Sequence, residues 1–236
     1  MSAQTPAATP VANAANRKVI AGSESTTGGA VPVDQLFGEW VGAGNKALYL
    51  PIAVSDDDER TPTKADRVWQ AIEPTGVTDL DTWLYADIKA EGFEPDFSEY
   101  GGVYIGDGDP QMLLEGLHGN GLFEPLKEAC DSGTVLYGTS SGCMVLGVNL
   151  MLSISPHRPD QSGMTPEETD GLNVIQAEDG TELVLAPHYR NTRTNMWDQM
   201  VEATGYKAAL IRDGSALTLQ NGELSEFGPD PIVWIG

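Results

Sequence analysis

The sequence is short of cysteine and of long apolar runs. Among its 236 residues there are only two cysteines, Cys130 and Cys143, and they have neither the spacing of zinc ligands nor that of a disulfide framework. No run of about eighteen apolar residues occurs, so no membrane-spanning helix is expected. These shortages argue against a disulfide scaffold, a zinc module and an integral membrane protein, and they favour an ordinary globular protein.

Positive charge is also scarce. Lysine and arginine together number 13, against 35 aspartates and glutamates, which gives a formal net charge of −22. Such a surface repels nucleic acid and anionic membranes, so we expect neither as a partner. An acidic, lysine-poor composition is typical of salt-adapted cytoplasmic proteins, and an acidic protein from an ordinary cell is the alternative. We expect a cytoplasmic location in either case.

The length of the chain fits one α/β domain, because no long polar linker divides it. Residues 1–16 are small and polar, and they lack both the basic region and the apolar region of a signal peptide. We therefore expect a disordered tail over 1–16 and a single domain over 17–236.

Apolar runs alternate with amphipathic segments through the first half of the chain. The pattern predicts strands near 18–22, 47–53, 81–85, 100–105 and 135–137, and helices near 33–41, 63–72, 110–117 and 125–131. Such alternation is typical of a mostly parallel sheet with helices on both faces. On sheets of this kind functional sites form at the carboxyl ends of the strands.

One such strand end carries a candidate nucleophile. The apolar run 135–137 leads into Gly138-Thr-Ser-Ser-Gly142 and then into a segment with helical character. This is the pattern of a nucleophile elbow, in which flanking glycines allow a sharp turn that lifts the hydroxyl of Ser140 clear of the sheet. An ordinary strand-to-helix turn that needs small residues for packing is the alternative, and the pattern alone leaves both open.

A serine nucleophile needs a base, and the chain contains three histidines. His188 is favoured, because it follows a predicted buried strand that we expect to end at the same sheet edge as Ser140. His118 lies at a glycine-rich helix end and His157 in a proline-rich loop. The alternative for His188 is a packed histidine that holds a loop. The third member would be an acid between the serine and the histidine or beyond them, and Asp160 and Asp170 are the candidates in the intervening loop.

The order serine, aspartate, histidine also occurs in α/β-hydrolases, but two features disfavour that family. No His-Gly-Gly-Gly loop is present, and 48 residues (236 − 188) follow His188. Four segments instead resemble the peptidase E and cyanophycinase family of serine peptidases, and the resemblance runs from about Lys18 to Gly236. These segments are Tyr104-Ile-Gly-Asp-Gly-Asp-Pro-Gln-Met-Leu-Leu114, Gly138-Thr-Ser-Ser-Gly-Cys143, Ala186-Pro-His-Tyr189 and the stretch from Asn221 to Trp234.

The resemblance implies a flavodoxin-like three-layer α/β sandwich with a C-terminal β hairpin. It also implies a serine exopeptidase with Ser140 as nucleophile, His188 as base and Asp160 as the third triad member. Backbone N–H groups of Gly108 and Ser141 would hold the oxyanion. The turn reads Gly-Asp-Gly-Asp where the family has Gly-Gly-Gly-Asn, and Cys143 stands where the family usually has alanine. Amidotransfer is disfavoured, because the related glutamine amidotransferases have cysteine in place of Ser140.

The implied substrates are small peptides, with dipeptides that bear an N-terminal aspartate foremost, and no metal or organic cofactor is implied. Arg193 matches a family arginine that holds the substrate's aspartate carboxylate, and Arg190 is the second candidate. Surface arginines paired with abundant carboxylates are the alternative for both. Other functions remain open: cleavage of an aspartate-rich polymer, an inactive small-molecule-binding homologue, and a general esterase or lipase.

Overall fold

The computed structural model describes residues 15–24, 29–55, 60–156, 166–191 and 194–236. Within them the chain alternates between strands and helices along most of its length. The strands are Lys18–Gly22 (β1), Lys46–Leu50 (β2), Asp79–Thr82 (β3), Tyr100–Ile105 (β4), Val135–Thr139 (β5), Leu183–Ala186 (β6), Lys207–Leu210 (β7), Ala216–Gln220 (β8), Glu223–Phe227 (β9) and Val233–Ile235 (β10).

The helices lie mainly between the strands. They are Val31–Val41 (α1), Arg60–Ile72 (α2), Tyr85–Ile88 (α3), Pro110–Gly119 (α4), Phe123–Asp131 (α5), Ser141–Leu146 (α6), Leu150–Ile154 (α7), Pro166–Thr169 (α8) and Thr194–Thr204 (α9). The start of α4 shows the local chemistry: Pro110 occupies the first turn, and the Asp109 carboxylate accepts from the N–H groups of Gln111 and Met112 at 2.9 and 3.0 Å. A capping aspartate followed by proline is typical of a helix start, so α4 begins where its local sequence favours it.

A seven-stranded sheet forms the centre of the molecule, with the strand order β3-β2-β4-β5-β1-β8-β9. The first five strands in that order are mutually parallel, whereas β8 and β9 form an antiparallel hairpin beside β1. The predicted mostly parallel sheet and C-terminal hairpin are therefore confirmed. β5 lies in the interior of the sheet between β4 and β1, so the strand that carries the elbow has a neighbour on each side.

A second, three-stranded sheet has the order β10-β7-β6. The sequence-based expectation that the strand before His188 ends at the edge of the central sheet is wrong, because this strand, β6, pairs with β7 instead. All four β6 residues are buried, and a short apolar run of this kind does not indicate which strand it will pair with. The chain after α6 is hydrogen-bonded to β6, since the N–H of Val148 donates to the carbonyl oxygen of Leu183 at 2.9 Å.

The two faces of the central sheet differ in chemistry. One face carries a mainly aliphatic core, whereas the other carries Tyr49, Tyr104 and Tyr137, which are in register across β2, β4 and β5. The hydroxyl of Tyr137 donates to a carboxylate oxygen of Asp34 on α1 at 2.9 Å. Burial raises the pKa of Asp34 to about 7, although the hydrogen bond from Tyr137 acts in the opposite direction.

Within the described ranges, no helix is both long and apolar enough to cross a lipid bilayer.

Candidate active site

The turn after β5 has the backbone of a nucleophile elbow. Ser140 has a φ of 53° and a ψ of −114°, a conformation that is strained for a residue with a Cβ, and α6 begins at the next residue. A Cβ on Gly138 would lie 2.1 Å from the carbonyl oxygen of Gly142, and one on Gly142 would lie 2.2 Å from that of Ile105. Both glycines are therefore needed for close packing. The strained serine between them favours the elbow over an ordinary turn.

His188 lies just beyond the end of β6 and contacts Ser140. Its Nε2 is 3.1 Å from the Ser140 Oγ, and its Nδ1 is 2.6 Å from Oδ1 of Asp213. An ionised carboxylate can only accept a hydrogen bond, so the Nδ1 atom carries the proton and donates it. Nε2 is then free of hydrogen and can accept the hydroxyl proton of Ser140. The three side chains form a continuous hydrogen-bonded line.

Asp213 was not among the acids predicted from the sequence. It lies after β7, in the turn that leads to β8, and its side chain is 39% exposed. The predicted acid, Asp160, lies outside the described residues. The other candidate, Asp170, lies elsewhere, with its carboxylate 3.4 Å from the amide nitrogen of Asn149 and its carbonyl oxygen 3.2 Å from Nε2 of His118. The signal that could have pointed to Asp213 is an acid three residues after a buried strand, beyond the histidine in the chain.

The glycine-rich turn after β4 lies against the elbow. A Cβ on Gly142 would be 3.1 Å from the carbonyl oxygen of Gly106, and a Cβ on Gly108 would be 2.2 Å from that of Ala53. Gly108 has a φ of 152°, so both its conformation and its surroundings require glycine. The N–H of Asp109 donates to the carbonyl oxygen of Ala53 at 2.7 Å and holds the turn in place.

An ion pair also restrains this turn. Nζ of Lys64 on α2 contacts both carboxylate oxygens of Asp107 at 2.8 and 2.9 Å, and the lysine side chain is only 10% exposed. On the elbow side, Ser141 is the first residue of α6, and the N–H groups of a first helical turn have no acceptor within their own helix. The turn and the helix start thus place Gly108 and Ser141, the two predicted oxyanion donors, in neighbouring segments.

Of the two arginines predicted to bind substrate, only Arg190 lies within the described residues. The Arg190 side chain is 80% exposed, and one guanidinium nitrogen is 4.0 Å from Oδ2 of Asp213. Arg193 lies outside the described residues. Sequence reasoning missed Arg212, which donates to the side-chain oxygen of Asn191 at 2.6 Å and to the carbonyl oxygen of Pro231 at 3.3 Å. Arg212 therefore ties the segment after His188 to the chain that leads into β10.

Within the described ranges, no group of three or more histidine, cysteine, aspartate or glutamate residues is arranged to hold a metal ion. Cys143 on α6 is completely buried, and burial raises the pKa of its thiol well above its ordinary value. A buried thiol in this state is not a nucleophile. Cys143 is therefore a packed residue of the elbow helix.

Comparisons with known proteins identify the family and the fold of this chain. The model of peptidase family S51 matches residues 19–227. Two solved structures share the fold: a Listeria monocytogenes EGD-e protein provisionally assigned as a peptidase E, and a peptidase from an acI-B1 actinobacterium. The first is 18% identical with a TM-score of 0.63 and covers 91% of this chain and 99% of its own. The second is 17% identical with a TM-score of 0.66 and covers 93% of each chain. No curated protein matches the sequence. The chain belongs to peptidase family S51 and is a serine peptidase.

Proposed function

We propose that this protein is an exopeptidase that hydrolyses small peptides, dipeptides with an N-terminal aspartate foremost, through a triad of Ser140, His188 and Asp213. The observation that carries the proposal is the hydrogen-bonded line from the Ser140 hydroxyl through the imidazole to the Asp213 carboxylate, in a chain of family S51. Asp213 takes the role expected of Asp160 from the sequence, because it is the carboxylate in contact with Nδ1 of His188.

In the first half of the reaction the Ser140 Oγ attacks the carbonyl carbon of the peptide bond, and Nε2 of His188 takes the hydroxyl proton. Asp213 holds the Nδ1 proton, which selects the reactive tautomer and stabilises the imidazolium. His188 then donates the proton from Nε2 to the leaving amine as the peptide C–N bond breaks. The products of this half are a free amine and an acyl ester on Ser140.

In the second half a water molecule replaces the amine. His188 takes a proton from the water, the hydroxide attacks the ester carbon, and the proton returns to Ser140 as the acid product leaves. The backbone N–H groups of Gly108 and Ser141 stabilise the negative oxygen of both tetrahedral intermediates. Each such donor contributes about 3 kcal/mol to the transition state in enzymes of this mechanism.

Preference for an N-terminal aspartate is supported by the arginines that follow His188 in an otherwise cation-poor chain. Arg190 lies next to the triad, and Arg193 matches the family arginine in sequence position. A guanidinium can bind a carboxylate through two parallel hydrogen bonds and stays charged at any working pH. The contact between Arg190 and Asp213 favours Arg193 as the substrate anchor, because Arg190 already faces a carboxylate of the protein.

A substrate panel tests this proposal. The purified protein should hydrolyse Asp-Ala faster than Asn-Ala or Ala-Ala, and it should lose activity when the amino group of Asp-Ala is acetylated. An aspartate-rich polymer and a short-chain acyl ester complete the panel. Faster cleavage of the polymer would replace the dipeptidase assignment with an endopeptidase-like one, and faster cleavage of the ester would indicate an esterase. Absence of hydrolysis across the panel would contradict the proposed function.

The anchor is tested by Arg193→Met, with Arg190→Met as the matched variant. We expect Arg193→Met to lower kcat/KM for Asp-Ala by the equivalent of about 2–4 kcal/mol, because it removes one partner of a desolvated charge pair. The effect on Asn-Ala should be much smaller. An equal loss on both substrates would assign Arg193 to the fold and leave Arg190 as the candidate anchor.

A further inference from the structure

Ser23 is a completely buried serine directly after β1, and its hydroxyl lies between the segments that carry His188 and Asp213. The backbone N–H of His188 donates to the Ser23 Oγ at 2.7 Å. The same oxygen is 3.0 Å from Oδ1 of Asp213 and 3.2 Å from the carbonyl oxygen of Ile211. One hydroxyl thus contacts both residues that support the nucleophile.

The donor and acceptor capacity of a hydroxyl determines the direction of each hydrogen bond that Ser23 makes. A serine hydroxyl has one proton to donate and two lone pairs to accept with. It accepts the His188 N–H, and of its two possible acceptors the Asp213 carboxylate is the nearer and the charged one. Hydrogen bonds to charged acceptors are the stronger ones. The hydroxyl therefore donates to Oδ1, the same carboxylate oxygen that accepts the Nδ1 proton of His188.

Both partners of Ser23 need support from outside their own segments. His188 has a φ of 59°, which is unfavourable for a residue with a Cβ, and the side chains of His188 and Asp213 are 41% and 39% exposed. Ser23 is anchored firmly by contrast, because its own N–H donates to the carbonyl oxygen of Ser215 at 3.1 Å. The neighbouring Gly22 accepts the N–H of Ser140 at 3.3 Å, so the end of β1 contacts all three members of the triad.

We propose that Ser23 is a positioning residue of this peptidase: its buried hydroxyl holds the Asp213 carboxylate and the His188 backbone in the arrangement that presents Nε2 to Ser140. This inference rests on the proposed triad and adds to it a residue that acts through His188 and Asp213 without contacting the substrate. It also gives the end of β1 a role in the site beyond its place in the sheet.

The kinetic test compares Ser23→Ala with Ser215→Ala. Ser215 is a matched control, because it is also a buried serine whose hydroxyl accepts a backbone N–H, that of Asp230 at 3.1 Å. We expect Ser23→Ala to lower kcat roughly 10- to 100-fold with KM within about twofold, since a small misplacement of a catalytic group has effects of this size. Ser215→Ala should keep kcat near the wild-type value. Equal kcat in the two variants would overturn the proposal.

A spectroscopic test does not depend on activity. In protein with ¹⁵N-labelled histidine, the short bond from Nδ1 of His188 to Asp213 should produce a strongly deshielded proton signal, which the spectrum of His188→Ala identifies. We expect Ser23→Ala to move this signal upfield or to lose it through exchange with water, and Ser215→Ala to retain it. An unchanged signal in Ser23→Ala, or the same change in Ser215→Ala, would overturn the proposal. If the wild-type protein hydrolyses no peptide, the proposed function fails, and this signal still decides whether Ser23 positions His188.

Discussion

The two halves of the candidate active site are built in different ways. The nucleophile half, the elbow with the neighbouring glycine turn, lies in the interior of the central sheet, where backbone groups of Gly22 and Ile105 pack directly against it. The relay half, His188 and Asp213, lies in two loops that follow strands of the smaller sheet. Backbone packing thus determines the geometry of the first half, whereas hydrogen bonds between loops determine that of the second.

The largest expected effect comes from removing the hydrogen bond between Ser140 and His188, which joins the two halves. Ser140→Ala and His188→Ala should each lower kcat on the order of a millionfold, because members of a triad act as a unit and the loss of either removes the same chemistry. Steady-state assays with Asp-Ala measure the loss, and circular dichroism should show an intact fold. Near-normal turnover in either variant would contradict the triad.

Within the relay half, Asp213→Asn should be nearly as damaging. We expect kcat to fall about 10⁴-fold, because the amide no longer selects the tautomer of His188 that accepts the serine proton. Asp160→Asn is the matched control, since sequence reasoning placed the acid there, and it should retain activity within about twofold. If kcat instead falls in Asp160→Asn and not in Asp213→Asn, Asp160 is the acid that orients His188. The contact between His188 and Asp213 would then have no catalytic role.

The nucleophile half can be tested through its backbone. Gly108→Ala should lower kcat roughly 10²- to 10³-fold, the usual effect of losing one oxyanion donor, because the new Cβ would lie 2.2 Å from the carbonyl oxygen of Ala53 and displace the turn. Gly119→Ala at the end of α4 is the control, since a Cβ there would meet nothing within 4 Å. Similar activity in the two variants would show that the turn tolerates displacement and would remove Gly108 from the oxyanion site.

The smallest effect on activity is expected from Asp34→Asn. Asp34 is buried and accepts the hydroxyl of Tyr137, which lies on β5, the strand that leads into the elbow. Burial raises the pKa of Asp34 from 3.8 to about 7, so between these values the folded state holds a proton that the unfolded state has released. The free energy of unfolding must therefore decrease as pH rises through that window, and the contribution is lost above it. We therefore compare the free energy of unfolding of Asp34→Asn with that of the wild type at each pH. From pH 4 to pH 8 this difference should move in favour of the variant by roughly 3–5 kcal/mol.

Urea unfolding at pH 4, 6 and 8 measures this difference, with the exposed Asp66→Asn as the matched control. The Asn variant keeps an oxygen that can accept the Tyr137 hydroxyl, so the comparison isolates the charge. A stability difference between wild type and Asp34→Asn that stays constant with pH would show that this carboxyl group does not titrate in the window.

The sequence-based predictions were more accurate for the nucleophile half than for the relay half. The elbow, the capped start of α4 and the glycine turn are each contiguous in sequence, and their geometry follows from local rules for glycine, proline and capping residues. The prediction for the relay was less accurate: the strand before His188 was assigned to the wrong sheet, and the acid that contacts His188 was not among the named candidates. A buried strand such as β6 carries no information about its partner.

The sequence by itself determined the α/β class, the mostly parallel central sheet and the family, because each depends on short patterns of residue type and spacing. Only the tertiary structure decided that β6 joins a separate sheet, that Asp213 is the carboxylate beside His188, and that the hydroxyl of Ser23 lies between them. These contacts join residues 25, 165 and 190 positions apart. The chain has 35 acidic residues that could serve as the third member, and only the folded arrangement of loops brings one of them within 2.6 Å of the imidazole.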